Sequence, residues 1–198
     1  MDTSEIKIQK SLKALGFYRG QIDGEVNSYE TRSAIKAMNV AYELGNTASL
    51  APSSRDALIY LGDLFMFDRI LISQNNSRRA KAKKIQAALK IHGFYYDKID
   101  GAIGAGTRRN IAEYKRAKGL SGGSSFDFEE EYQLISSAKQ MNDKNIDGTI
   151  ASLKGTQHQP QPSNMRILTQ PKAVDNQMVR PQYQQVPQQT QPVQVMQH

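Results

Sequence analysis

The chain has three histidines and no cysteine among its 198 residues, and that inventory removes several chemistries at the outset. A catalytic zinc ion needs about three protein ligands. His158 and His198 lie in a Gln/Pro-rich stretch far from His92, so the histidines build no metal site, and His92 reads as a helix-end residue. Without cysteine there is no thiolate nucleophile, no disulfide and no cysteine-linked lipid anchor. Glycoside hydrolysis requires a carboxyl group of raised pKa in a cleft. The acidic cluster Glu129 to Glu131 reads instead as the exposed start of a helix. The stretch "GAIGAGT" at Gly101 to Thr107 lacks the Lys-Ser/Thr of a phosphate loop and follows no strand, so it cradles no nucleotide. The expectation is a protein that is not an enzyme, with no metal and no cofactor.

The elements that position the remaining polar residues are small. A hydrophobic share of 38% is enough for compact but modest cores. No run approaches the roughly 20 apolar residues of a membrane span. The most apolar stretch, Leu61 to Ile72, is interrupted by Asp63, Asp68 and Arg69 and reads as a buried or interface helix. The opening "MDTSEIKIQK" lacks the apolar core of a signal peptide. The net charge of +7 is concentrated: Ser77 to Lys118 holds twelve Lys/Arg against three Asp/Glu, whereas Met1 to Leu50 holds six of each. A basic face of this kind attracts polyanions, although the basic residues lack the aromatic interleaving of a strand-stacking platform, which weighs against nucleic acid.

An internal repeat organises the chain. Ile8, Gln9, Leu12, Gly16, Phe17, Tyr18, Ile22, Asp23 and Gly24 recur 77 positions later as Ile85, Gln86, Leu89, Gly93, Phe94, Tyr95, Ile99, Asp100 and Gly101. One residue is then lost, and Thr31, Arg32 and Ile35 recur as Thr107, Arg108 and Ile111. Ile8, Leu12 and Leu15 form the stripe of one helix, Ile85 and Leu89 that of another, with Gly16 and Gly93 placed to stop them. The Asp-Gly pairs mark a tight turn, and a second helix follows in each copy, with Ser28 as the N-cap of the first of these. A third helix is expected at Ser53 to Leu61, with its counterpart at Phe126 to Met141, and the two units should lean on each other through Leu64 to Ile72. "KNIDGTI" at Lys144 to Ile150 echoes the Asp-Gly turn by chance. Beyond Gly155 lie six of the seven prolines and thirteen glutamines, a composition that cannot offset its ordering entropy.

The pattern of a helix, "LGFYRGQIDG" and then "TRSAI" resembles the bacterial peptidoglycan-binding domain appended to cell-wall hydrolases, a three-helix bundle with an Asp-Gly loop. The resemblance covers Ile6 to about Leu61 and Lys83 to about Gln140. Asp97 replaces Gly20 and His92 replaces Leu15 in the second copy. Where the family carries an aromatic residue followed by Gln late in its second helix, this chain has Met38-Asn39 and Tyr114-Lys115.

The resemblance implies an all-α fold of two tandem three-helix peptidoglycan-binding-like bundles, at 1–74 and 75–154, and composition adds a disordered Gln/Pro-rich tail at 155–198. The resemblance also implies a non-catalytic wall binder that anchors or positions a partner, in a secretion or conjugation machine or a phage particle. The alternative is a structural adaptor that keeps the fold for protein–protein contact. Candidate ligand-binding residues are Tyr18, Arg19, Gly20, Asp23, Asn27, Tyr95, Tyr96, Asp97, Asp100 and Arg108. A tyrosine offers a sugar ring an apolar face and a hydroxyl. Asp23-Gly24 and Asp100-Gly101 read first as turn chemistry, Phe17 and Phe94 as core, and Thr31 and Thr107 as caps or loop supports. The basic stretch Arg78 to Lys84 and Arg108-Arg109 read first as solvated helix faces. Expected partners are peptidoglycan and a protein contacted through 155–198 or Leu64 to Ile72. Expected locations are the periplasm or wall if the chain is exported, and otherwise a phage particle or the cytoplasm.

Overall fold

A computed structural model describes residues 2–156, and all regular structure among them is helical. The helices are α1 (Ser4–Ala14), α2 (Tyr29–Ala41), α3 (Pro52–Ile72), α4 (Arg78–Ile91), α5 (Ala105–Ala117) and α6 (Phe128–Thr156). The expected tail lies outside the described residues, apart from its first two positions, which close α6.

Local chemistry accounts for the helix ends. The Ser28 hydroxyl accepts from the Thr31 amide at 3.2 Å, the cap expected from sequence, and Ser77 does the same for Ala80 at 3.2 Å. Pro52 opens α3, where its missing N–H costs nothing. α1 and α4 stop at Gly16 and Gly93, whose φ angles of 89° and 83° let Phe17 N and Phe94 N reach back to Leu12 O and Leu89 O.

α1 packs on α2 and α3, α4 packs on α5 and α6, and α3 lies against both α4 and α6. Two apolar cores result. The first gathers Ile8, Leu12, Tyr18, Ile35, Met38, Leu58 and Leu61, and the second gathers Leu89, Tyr95, Ile111, Tyr114 and Leu134. Each fully buried Leu or Ile is worth about 1.5–3 kcal/mol relative to exposure.

The third helices run longer than expected. α3 continues without a break through the apolar stretch to Ile72, and its end delivers Leu71 and Ile70 to the second core. α6 continues past Met141, and Ile146, Ile150 and Leu153 reach the first core. Those three side chains fall at i, i+4 and i+7, one helical face. That burial carries the "KNIDGTI" stretch into a helix in spite of Gly148, whose surroundings are open. Leu64 is buried as expected at this junction, and its carbonyl accepts from Asn142 Nδ2 at 2.8 Å. Lys139 pairs with Asp68 at 2.8 Å across the same helices.

Candidate functional site

The repeated phrase forms two loops of one design, each built around a buried glutamine. In the first copy Gln9 is wholly buried. Its Oε1 accepts from Asp23 N at 3.0 Å and Gly24 N at 2.8 Å. Its Nε2 donates to Asp23 Oδ1 at 2.8 Å and Thr31 Oγ1 at 3.2 Å. In the second copy Gln86 Oε1 accepts from Gly101 N at 2.8 Å. Its Nε2 donates to Asp100 Oδ1 at 2.9 Å and Ala102 O at 3.0 Å. One amide side chain on the first helix therefore satisfies both the loop backbone and the loop carboxylate, which is why the loop can close over a core helix without stranding polar groups.

Asp23 and Asp100 complete the turn by accepting from the amides of Glu25 and Ala102, both at 2.9 Å. The glutamine N–H bonds, followed by these amides, hold both carboxyls below the usual carboxylate range. Thr31 and Thr107 are buried supports beneath the loops. A lysine straps each loop from outside: Lys13 Nζ donates to Gly20 O at 3.2 Å and Lys90 Nζ to Asp97 O at 2.7 Å.

A second pair of polar pins fixes the loops that follow α2 and α5. Asn39 is buried and donates to Thr47 O at 2.8 Å and Ser49 O at 3.1 Å. Lys115 is equally buried, donates to Ser125 O at 2.9 Å and pairs with Glu130 at 3.0 Å. Different residues in matching places do the same work.

The candidate residues divide between the two loops. Tyr18 and Tyr95 point inward, 4% and 3% exposed, and their hydroxyls donate to Gln21 O at 2.6 Å and Lys98 O at 2.7 Å. Arg19, Asp23 and Asn27 are exposed on the first loop, as are Tyr96, Asp97 and Asp100 on the second, with Arg108 on the first turn of α5. Gly20 is half-buried, and a Cβ there would lie 2.5 Å from the Tyr18 hydroxyl. Tyr96 is the one candidate ring that faces solvent, at 53% exposure. Asn27 opens onto a shallow groove of about 850 Å³ along α2, shared with Tyr29, Arg32, Lys36 and Val40. Phe17 and Phe94 pack edge-on against Tyr42 and Tyr114, as core residues should.

The glutamines are the residues whose role sequence reading overlooked. Their signal was present, since Ile-Gln recurs at the same spacing as the Asp-Gly pair. His92 caps α4, with its Nε2 2.9 Å from Ser137 Oγ, and burial, then the charge of Lys118, holds its pKa below the ordinary histidine value. No group of His, Cys, Asp or Glu able to hold a metal ion occurs among the described residues. No helix among them is long and apolar enough to cross a membrane.

Residues 78–122 match the family model described as "Putative peptidoglycan binding domain". The match spans α4, the second loop and α5, while the first copy, with one more residue in its loop, lies outside it. No curated protein and no solved structure matches the chain.

Proposed function

We propose that the chain is a non-catalytic peptidoglycan-binding protein built from two tandem three-helix units, 1–74 and 75–154, that exchange the ends of their third helices. The observation that carries this reading is the family match over 78–122, laid on a glutamine-locked loop whose two central bonds, glutamine Nε2 to the Asp carboxylate and the Gly amide to glutamine Oε1, recur in the first copy at Asp23 and Gly24. The glutamine, aspartate and threonine hold each loop in shape. Ligand contact falls to exposed groups: Arg19, Asp23 and Asn27 on the first loop, Tyr96, Asp97, Asp100 and Arg108 on the second. Tyr18 and Tyr95 serve from beneath, by holding the loop carbonyls in place. Recognition is then a shallow-surface event, with Tyr96 supplying the ring face suited to a sugar. Binding to the wall places the protein at the cell envelope, where residues 155–198 or the α3 segment can hold a partner within a secretion or conjugation machine or a phage particle.

Replacing Tyr96, Asp97 and Arg108 together by Ala tests the assignment. Sedimentation with purified wall sacculi should weaken about tenfold while helicity and melting stay close to wild type. Undiminished sedimentation would remove these residues as contacts. The adaptor reading draws on the α2 groove, where Tyr29 and Val40 are 86% and 54% exposed. It predicts that Val40→Asp abolishes capture of a protein partner and leaves sedimentation unchanged.

A further inference from the structure

The two loops share a frame but rest on different flanks. At the first loop, the nearest side chain to Gly24 is Ile6, whose Cγ1 lies 3.6 Å from where a Cβ would stand. At the second, Gly101 sits directly on the stems of two cations: a Cβ there would lie 2.6 Å from Arg79 Cγ and 3.1 Å from Lys83 Cγ. In the repeat register Arg79 occupies the place of Asp2, and Lys83 that of Ile6. An acid and an aliphatic residue in one copy are thus two bases in the other.

These cations line a cleft of about 350 Å³ between the end of α3 and the start of α4. Arg69 supplies a third positive charge from α3, and Met66, Ile70 and Ala80 supply apolar surface. Arg79 Nε donates to Asp100 O at 3.2 Å, and Arg69 is held by the carbonyl of Ala14. None of the three cations forms an ion pair among the described residues. The nearby carboxylate of Asp100 is engaged through Oδ1 by Gln86 and the Ala102 amide. Asp100 feels the charge of Arg79 and offsets part of it, but Arg69 and Lys83 form no ion pair among the described residues, so the partly apolar cleft stays positive and attracts an anion.

We infer that this cleft is an anion-binding site for a peptide carboxylate carried on a small aliphatic group. Guanidinium groups take carboxylates in two-point hydrogen bonds, and the lysine adds a point charge. The apolar wall then covers the aliphatic carbon, a match that a bare inorganic anion or a nucleic-acid backbone does not make. The inference rests on the wall-binding reading for its ligand source, because wall stem peptides carry such carboxylates. It adds that the acidic end of the ligand is held beside the second loop, between Arg79 and Lys83 of α4 and Arg69 of α3, and not beside the first loop.

The test uses the full chain, a soluble wall muropeptide with free carboxylates, and the same muropeptide with its carboxylates amidated, followed by amide NMR shifts. The free muropeptide should move the signals of Ser77 to Lys83 and Gly101. Amidation should weaken binding about tenfold, as the loss of a charged hydrogen-bond partner does. Arg79→Gln with Lys83→Gln should do the same, and the amidation arm stands if that variant is poorly folded. Equal affinity for the two muropeptides would overturn the inference. So would shifts confined to other surfaces, or inorganic phosphate moving the same signals when the muropeptide does not. If the sacculi sediment the wild type and the double variant equally, wall binding stands and the cleft assignment falls.

Discussion

Gln9 and Gln86 show how much one side chain can organise when it is buried. Each satisfies backbone and carboxylate groups of a loop that is distant in sequence, so truncation leaves those groups without partners. Gln86→Ala should cost about 2–3 kcal/mol in urea unfolding, as expected for stranded buried polar groups. A loss below about 0.5 kcal/mol would mean that water replaces the amide freely. His92 makes a pH-dependent contribution. Its folded-state pKa lies below the ordinary value of 6.5, so the unfolded chain takes up the proton first as pH falls. Stability on this account is full above about pH 6.5 and declines below it. His92→Gln should narrow the gap between urea midpoints at about pH 7.5 and about pH 5.5, and an unchanged gap would contradict the assignment.

At the scale of elements, α2 and α5 end in the same geometry with different residues. Gly119 closes α5 with φ 68°, whereas Glu43 holds the matching place after α2 with φ 58°. A side chain in this left-handed region costs about 1–2 kcal/mol, more than the entropy glycine loses. Glu43→Gly should therefore raise stability by up to about 1 kcal/mol, even with the exposed Lys154 pair gone. Gly119→Ala should lower it by about 1 kcal/mol, and opposite signs in thermal melts would refute the comparison. The helix stops at Gly16 and Gly93, the Ser28 cap and the Asp-Gly turns were legible in the sequence because each depends on a few adjacent residues. The full extent of α3 and α6 was not. Asp147-Gly148 reads locally as a turn, and only the burial of Ile146, Ile150 and Leu153 against a core formed by residues far earlier keeps that stretch helical. The inward direction of Tyr18 and Tyr95 was hidden for a similar reason. Their partners are backbone carbonyls, which carry no sequence signature.

Across the whole molecule, the exchange of helix ends makes each core depend on the other half of the chain. Leu153 closes the first core from α6, and Leu71 joins the second from α3. Leu153→Ala should cost about 2–5 kcal/mol and lower the melting of both halves together, seen as one calorimetric transition. Two separate transitions, with only one displaced, would show that the halves unfold independently. This coupling also bears on function, because it fixes the two loops within one connected scaffold while their flanks differ in charge. The central claim is that the scaffold binds the cell wall, and co-sedimentation of the full chain with purified sacculi tests it most directly. The account predicts that the chain pellets with sacculi at low salt and still pellets at moderate salt, because shaped contacts at the loops persist when long-range attraction is screened. A chain that stays in the supernatant at both salt levels, or that is released completely by moderate salt, would contradict it.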